Sequence, residues 1–519
     1  MPDISDPEQV FGRNKNLQAE KPVGAGTCRQ VSTGRNQRRR SGTAESGSGQ
    51  ERRIRRKMTI DAIRNKFYDS TRVDWNNLMF STGDIWKLLI PLMVEQLLTS
   101  FMGMADSIMV TRVGSAAIAA VSLTDSINNL VIQMFAALAT GGTIVCSQYI
   151  GSGSPGKSNQ AARQVVLSVL TIAVVVCFLS EMFRYQILRL VFGTVEDDVM
   201  EAAATYFLYT AASFPFLGLF QAGSAFYRAG GNSRFPMLIS ILSNIMNIIG
   251  NAIFIFVFRW GVAGAALSTL LSRIFSAVVI YVFLRLPRQP IVIDHYLQIR
   301  PNFDLIRKVL FIGIPSGIEN SMFQFGKLAI QSSVSTLGTK AIAAQAMAII
   351  FENVNGIGGI AIGTGLMTIV GQCLGAGRRE EAKYYITRLT EYSWTVLAVS
   401  CLVTFLIGKP VMNLAGLEPE SAALCYRMLI FISAVKPLIW VFSFIPPYGM
   451  RAAGDVKYAM IVASLSMWLC RVAMTTFLIR VMGFGPIAVW IGMASDWAVR
   501  GVIFMRRYFS GKWLQHEVI

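Results

Sequence analysis

The chain has 519 residues, of which 53% are hydrophobic and only 15% are charged. That balance is typical of an integral membrane protein and excludes an ordinary soluble multidomain enzyme. The only histidines, His295 and His516, lie far apart in polar stretches, so a histidine-based zinc site or a Ser-His-Asp triad lacks its residues. The seven cysteines form no CxxC pair and mostly lie in apolar runs, which indicates no disulfide framework. We therefore expect neither an enzyme nor a bound cofactor.

The first 57 residues differ from the rest of the chain, because they are polar, low in complexity and rich in Gly, Ser, Arg and Gln. They hold 13 Lys and Arg residues against 6 Asp and Glu, so we expect a disordered basic extension. One interpretation is an arm that binds nucleic acid or anionic lipid headgroups. We favour a cytoplasmic tail, or an upstream start with Met58 as the true initiator, and expect no nucleic-acid partner.

Twelve apolar stretches follow, each long enough to cross about 30 Å of hydrocarbon at about 1.5 Å per residue. They are much longer than the alternating strands of a β-barrel, which cover about 10 residues. The sequence therefore predicts an all-α, multi-pass protein of the lipid bilayer, and we expect a monomer. The predicted helices cover residues 84–111, 116–149, 161–183, 201–226, 235–258, 262–286, 305–336, 341–373, 389–408, 421–449, 457–481 and 486–509.

Lysine and arginine are distributed unevenly between alternate loops. If the N-terminus is cytoplasmic, the inner loops and the C-terminal tail hold eighteen of these residues, and the outer loops hold seven. Because cytoplasmic loops carry an excess of Lys and Arg, both termini are predicted to lie on the cytoplasmic side of the cell membrane.

The membrane region repeats itself at an offset of 224 residues. Six spans separate the copies and six is even, so both copies have the same orientation in the membrane, as in transporters whose halves are related by an axis along the membrane normal. Chance does not explain the number of matches. The matches include Ile90-Pro91 with Ile314-Pro315, Glu95 with Glu319, residues 117–120 with 341–344, and Gln148 with Gln372.

Two bundles of like orientation enclose a central cleft that can open first to one side and then to the other. A channel is the structural rival, but no span carries a regular ring of acidic residues or a carbonyl-filter sequence. The predicted parts are a cytoplasmic N-terminal segment (58–83), an N-terminal six-helix lobe (84–286), a cytoplasmic linker (287–304), a C-terminal six-helix lobe (305–510) and a tail (511–519).

Ionisable side chains inside the spans are candidates for function, since each costs about 2.5 kcal/mol or more at the bilayer centre and needs a cavity or a partner. Asp106 lies eleven residues after Glu95, on nearly the same face of the first helix. It can bind a proton or Na⁺, or it can pair with Arg112. Asp496 and Arg500 are spaced to pair on one helix. Further charges within the spans are Asp125, Lys327, Lys436 and Arg471.

Glu95 and Glu319 occupy equivalent positions, each four residues after a proline that can bend its helix. A shared structural role and a role in transport both stay open. Lys436 has no neighbour of opposite charge in the sequence, and Glu319 is its expected partner in the C-terminal lobe. The fifth helix carries a seam of three asparagines, which can join helices or bind a cation.

With these features the chain resembles the multidrug and toxic compound extrusion (MATE) family, over about residues 84–511. The stretch IPLMVEQLLTSFMGMADSIMVTRVGSAAIAAVSL, in which Pro91 precedes Asp106, resembles the first helix of the family. YRAGGNSRFPMLISILSNIMNIIGNAIFIF, followed by GVAGAALSTLLSR, resembles its fourth-to-sixth-helix signature. The resemblance is closer to the bacterial DinF-like branch than to the NorM-like one. It implies a bacterial plasma-membrane protein with two V-shaped lobes and a substrate cavity between them.

The resemblance also implies a cation-coupling site in the N-terminal lobe, with Na⁺ as one possible ion at Asp106. Asn251 stands where many members carry Asp, so the choice between H⁺ and Na⁺ stays open. The coupling residues implied are Asp106, Asn247, Asn251 and Thr269, and the candidates for substrate contact or for a polar role in the lobes are Glu95, Glu319, Lys436 and Arg471.

The expected function is secondary active antiport, in which organic small molecules, cationic or amphipathic, leave in exchange for H⁺ or Na⁺ by alternating access. The alternative is a flippase for lipid-linked oligosaccharides of the same superfamily. Such a protein needs a basic cavity to hold pyrophosphate, and Arg471 and Lys436 keep this alternative open.

Overall fold

The structure, a computed structural model, describes residues 66–193, 196–287, 289–293 and 300–519. The predicted extension over residues 1–57 and much of the predicted linker lie outside these ranges. All regular elements of the described part are helical. The α-helices are α1 (Thr82–Thr111), α2 (Ser115–Gly151), α3 (Pro155–Met182), α4 (Arg184–Phe192), α5 (Asp197–Ala212), α6 (Phe214–Ala229), α7 (Arg234–Asn251), α8 (Gly261–Phe283), α9 (Phe303–Val334), α10 (Thr339–Gly375), α11 (Arg379–Leu414), α12 (Pro419–Ala452), α13 (Val456–Ser466), α14 (Met474–Arg480) and α15 (Ile487–Phe509).

The helices form twelve membrane spans. Ten spans in the described residues pass by length and apolar composition, and α5 with α6 forms another, bent by 43°. The twelfth is α9, whose 32 residues include Asp304, Arg307, Lys308, Glu319 and Lys327 and are therefore less apolar. The predicted all-α architecture of twelve helices in two lobes is confirmed. We call α1–α8 the N-terminal lobe and α9–α15 the C-terminal lobe.

Several spans are longer or less regular than their hydropathy predicts. Helix α11 begins at Arg379, ten residues before the predicted start at 389, because its first turns are polar and continue beyond the apolar region. The predicted fourth helix breaks at Ser213, immediately before α6 with Pro215 in its first turn. The fifth and eleventh spans each contain a π-helical segment, Ala252–Val257 and Met467–Ala473.

The two lobes meet through the halves of their spans that lie toward the chain termini. There α2 packs against α9 and α10, and α1 packs against α10. The closest approach joins the ends of α2 and α10, where Cβ atoms added at Gly151 and at Gly375 would each lie 2.0 Å from a backbone oxygen of the other helix. Only glycine fits at these two equivalent positions, because any side chain would separate the backbones.

A pair of equivalent hydrogen bonds closes the same end of the molecule. The Gln148 side-chain amide donates to the Ala452 carbonyl oxygen, and the Gln372 amide donates to the Ala229 carbonyl oxygen, both at 2.7 Å. Each bond leaves one lobe and ends on the other. The contact between the lobes is therefore symmetric at this end.

The segments that flank the spans pack against the C-terminal lobe. Residues before α1 are bound by carboxylates of α11, since the Met79 amide donates to the Glu381 side chain at 2.6 Å. The Tyr508 hydroxyl of α15 donates to the Phe67 carbonyl oxygen at 3.2 Å. In the C-terminal tail, Trp513 is fully buried. Both ends of the described chain thus lie on one side of the bundle.

Candidate transport sites

A polar cluster in the N-terminal lobe joins three helices. The Asn251 side-chain amide donates to the Asp106 carboxylate at 2.7 Å and to the Asn247 side-chain oxygen at 3.4 Å. The Asn247 amide donates to the Thr269 hydroxyl at 3.2 Å. All four residues predicted for the coupling site therefore lie together, and Asp106 bonds Asn251 rather than Arg112.

Local sequence explains how α7 and α8 approach closely enough to form this cluster. Gly250 lies against Ser268, and a Cβ at Gly250 would clash with the Ser268 hydroxyl oxygen. Ser268 then donates to the Asn247 carbonyl oxygen at 2.8 Å. The π-helical segment starts directly after Asn251, and single π turns frequently mark functional sites.

Three polar groups of the cluster carry charge or unused hydrogen-bonding capacity. Asp125 of α2 accepts a hydrogen bond from the Tyr206 hydroxyl at 3.5 Å. Arg273 of α8 interacts electrostatically with Asp106 and Asp125, and it donates to the Ser213 hydroxyl at 2.6 Å. Within the described part of the chain, the side-chain oxygen of Asn251 is buried without a hydrogen-bond partner. The cluster thus holds two carboxylates, one arginine and a free amide oxygen.

Two equivalent ion pairs explain the repeated glutamates. Glu95 pairs with Arg228 at 3.5 Å, and Glu319 pairs with Arg451 at 2.5 Å. Both pairs are largely buried, and each joins the first span of a lobe to the end of its fourth. The predicted pairing of Lys436 with Glu319 is wrong, because Arg451 occupies that carboxylate.

Lys436 instead pairs with Glu352, a residue of α10. The Lys436 ammonium lies 2.9 Å from the Glu352 carboxylate and 3.0 Å from its carbonyl oxygen. The Lys436 side chain is fully buried. Sequence reasoning omitted Glu352 and Arg273, although both are charged residues within predicted spans and the same criterion identifies them.

A buried network at α13–α15 contains the predicted pair of Asp496 and Arg500. Arg500 lies 2.9 Å from Asp496, which confirms that pairing, and Arg471 approaches the same carboxylate at 2.8 Å. Arg471 belongs to the π-helical segment of the eleventh span. Its guanidinium also lies over the ring of Phe323, 4.9 Å from the centroid.

These residues surround a cavity of about 590 Å³ in the C-terminal lobe. Its wall comes from α9, α10, α12, α15 and the π-helical segment of the eleventh span, with part of α2 from the other lobe. Pockets of this volume accommodate drug-sized molecules. Among the candidates named from the sequence, Glu319 and Arg471 line it, and Lys436 lies directly behind Glu352. Glu95 and the four coupling residues belong to the other lobe.

The duplicated six-helix lobes, the closed end between them and the polar sites inside them define a membrane transporter of the two-lobed kind. The MatE family model matches residues 91–253 and 315–477, one match for each copy of the repeat. The chain therefore belongs to the MatE family of multidrug and toxic compound transporters.

Relatives and solved structures agree with this assignment along most of the chain. An uncharacterized transporter of Bacillus subtilis, YisQ, is 26% identical over 453 residues, with 84% of this chain and 95% of the relative covered. A probable multidrug resistance protein NorM of Thermotoga maritima is 24% identical, with 84% and 94% covered. A MATE family transporter of the MOP superfamily, solved in an outward-facing conformation, superposes with a TM-score of 0.77 at 19% identity, covering 83% of this chain and 96% of that one. The resemblance to a bacterial MATE transporter is confirmed, whereas its DinF-like branch stays a prediction.

Proposed function

We propose that the protein is a cation-coupled antiporter that exports amphipathic organic molecules across the bacterial plasma membrane. The observation that carries this proposal is the cluster of Asp106, Asn247, Asn251 and Thr269, in which one carboxylate is bonded to amides from a second helix. A carboxylate held in this way binds H⁺ or Na⁺, and its change of charge alters the bond that joins α1 to α7. Ion binding is thereby linked to the geometry of the lobe.

Coupling requires that the ion and the substrate favour different states of the cleft. A coupling ion that favours one state lowers substrate affinity for that state, and the effect is reciprocal by linkage. The symmetric contact at Gly151 and Gly375 closes the end of the bundle that carries the termini. With the termini in the cytoplasm, as the loop charges predict, this state opens away from the cytoplasm.

The test is transport by the purified protein in liposomes under an imposed pH gradient and, separately, an imposed Na⁺ gradient. One gradient should drive substrate movement in the natural protein. Asp106→Asn keeps the shape of the side chain but removes its charge, so it should fold normally and lose gradient-driven movement. The matched control is Asp198→Asn, which changes an exposed acid at the start of α5. Full gradient-driven transport by Asp106→Asn would refute the proposal.

A flippase for lipid-linked oligosaccharides remains the second candidate, because cations surround the C-terminal cavity. It predicts movement of a pyrophosphate-linked lipid between leaflets. Lipid scrambling measured in the same liposomes separates the two candidates, since an antiporter leaves lipid distribution unchanged under either gradient.

A further inference from the structure

We infer that the cavity of the C-terminal lobe binds aromatic organic anions. This inference rests on the proposed transport function and specifies its substrate class. The sequence alone favoured cationic or amphipathic substrates. The charges that surround the cavity favour the opposite sign.

Positive charge exceeds negative charge around this cavity. The three carboxylates each have a cationic partner: Glu319 pairs with Arg451, Glu352 with Lys436, and Asp496 with Arg500. Two cations, Lys327 and Arg471, remain beyond these one-to-one pairs. Buried carboxylates that are already paired offer little to a cationic ligand, whereas unbalanced cations attract an anion.

Lys327 is the cation best placed to meet a ligand. It lines the cavity and its side chain remains accessible. The ion pairs of the cavity leave it without a carboxylate partner within the described part of the chain, and its ammonium lies 5.3 Å from the ring centroid of Phe323. A cationic ligand in the cavity would be repelled by this ammonium, but an anionic ligand would be its missing partner.

Arg471 approaches the same part of the cavity from the opposite helix. Its guanidinium lies over Phe323, the ring that Lys327 also approaches, so the two cations flank one aromatic side chain. The Nε atom of Arg471 is buried and has no hydrogen-bond partner in the described residues. Arginine binds carboxylates, sulfonates and phosphates through such N–H groups.

Aromatic side chains give the cavity a preference beyond charge. Trp440 and Phe444 stack with ring centroids 4.5 Å apart, and Trp490 and Trp497 also line the wall. Flat apolar walls of this kind bind planar aromatic groups by stacking and by burial of apolar surface. A planar aromatic ring with an acidic substituent therefore matches both the walls and the unbalanced cations.

The test compares equilibrium binding of two xanthene dyes to the full-length protein in detergent, the anionic fluorescein and the cationic rhodamine 6G. Fluorescein should bind at least about tenfold more tightly than rhodamine 6G, a ratio equal to about 1.4 kcal/mol. Lys327→Gln should weaken fluorescein binding about tenfold, and Lys327→Glu should weaken it further. Arg471→Gln should do the same if it folds. The control Lys409→Gln, which changes an exposed lysine of α11, should bind like the natural protein.

Tighter binding of rhodamine 6G, or binding of neither dye, would overturn the inference. Competition tells a soluble aromatic anion from a lipid-linked phosphate: naphthalene sulfonate should displace fluorescein better than inorganic pyrophosphate does, and the reverse order would overturn the aromatic assignment. Binding needs no ion gradient. Fluorescein binding without gradient-driven transport would therefore refute the proposed coupling alone, whereas gradient-driven transport of rhodamine 6G alone would refute the anion inference and leave the coupling intact.

Discussion

The two lobes share a backbone plan but differ in the polar groups at equivalent positions. At the offset of 224 residues, Asp106 of α1 corresponds to Ile330 of α9, and Gly103 of α1 corresponds to Lys327. Asn128 of α2 likewise corresponds to Glu352 of α10. The first copy has retained a carboxylate bonded to amides, and the second has acquired a cavity surrounded by cations.

Other equivalent residues have stayed the same. Gly151 and Gly375 make the same backbone crossing, and the glutamates at 95 and 319 each pair with an arginine. The conserved set lies where the lobes contact each other or where spans join within a lobe. The comparison teaches that the repeat preserves the parts that move and varies the parts that bind, so we assign ion coupling to the N-terminal lobe and substrate binding to the C-terminal lobe.

The largest effect is expected where the lobes are equivalent. Gly151→Ala or Gly375→Ala inserts a methyl group against a backbone oxygen of the facing helix, which cannot move aside like a side chain. Each variant should lose the closed state and at least about tenfold of its transport rate, a cost of about 1.4 kcal/mol or more. Transport in liposomes measures this, with Gly156→Ala, where a Cβ meets open space, as the control. A large loss at one glycine alone would contradict functional symmetry at this contact.

The division of charge between the lobes predicts a strongly voltage-dependent cycle. A monovalent anion that leaves in exchange for one entering cation moves two charges in the same sense, each worth about 2.3 kcal/mol per 100 mV. Exchange of a monovalent cation for one cation moves none. A potassium-diffusion potential in liposomes, negative on the side that the dye leaves, should therefore increase the final dye gradient. No response to voltage during gradient-driven transport would exclude anion export.

The C-terminal lobe should depend on its buried ion pair for stability. Lys436→Met leaves the Glu352 carboxylate without its partner, and loss of one member of a buried pair costs about 3–5 kcal/mol. Thermal unfolding in detergent should show a lower midpoint for this variant. Partial recovery is expected when Glu352→Gln is added. The control Lys409→Met should leave the midpoint unchanged, and an additive loss in the double variant would show that the two residues are independent.

The smallest effect is expected in the coupling cluster, at Thr269→Val. This substitution keeps the shape and removes the hydroxyl that accepts from Asn247, a bond worth about 1 kcal/mol. The concentration of coupling ion that gives half-maximal transport should rise about fivefold, with little change for the dye. Thr364→Val, which removes a hydroxyl bonded only within its own helix, serves as the control. An equal change in dye affinity would show that the two lobes are not separate in function.

Much of the fold could be predicted from the sequence because hydrophobic length and internal repetition are properties of the chain itself. The same holds for the coupling cluster, whose members match a family pattern and whose asparagines recur at helical spacing. Ion pairs between distant helices are different. The partner of Lys436 depends on which helix faces α12, and several acids were available.

The repeat held more information about the C-terminal lobe than was used. Arg228 and Arg451 are equivalent, as are the glutamates that they bind, so the repeat itself indicates both pairs. The two π-helical segments lie at different places in the fifth and eleventh spans, and hydropathy gives no signal for either. The position of Arg471 in the cavity depends on one of these segments, which explains why its role was left open.

The most direct test of the division between the lobes compares Asp106→Asn with Lys327→Gln in two measurements, fluorescein binding in detergent and gradient-driven fluorescein transport in liposomes. Asp106→Asn should bind the dye as tightly as the natural protein and fail to concentrate it under either gradient. Lys327→Gln should bind about tenfold more weakly, yet still concentrate the dye when its concentration is raised to compensate. Weakened binding in Asp106→Asn together with normal binding in Lys327→Gln would contradict the assignment of coupling to one lobe and substrate to the other.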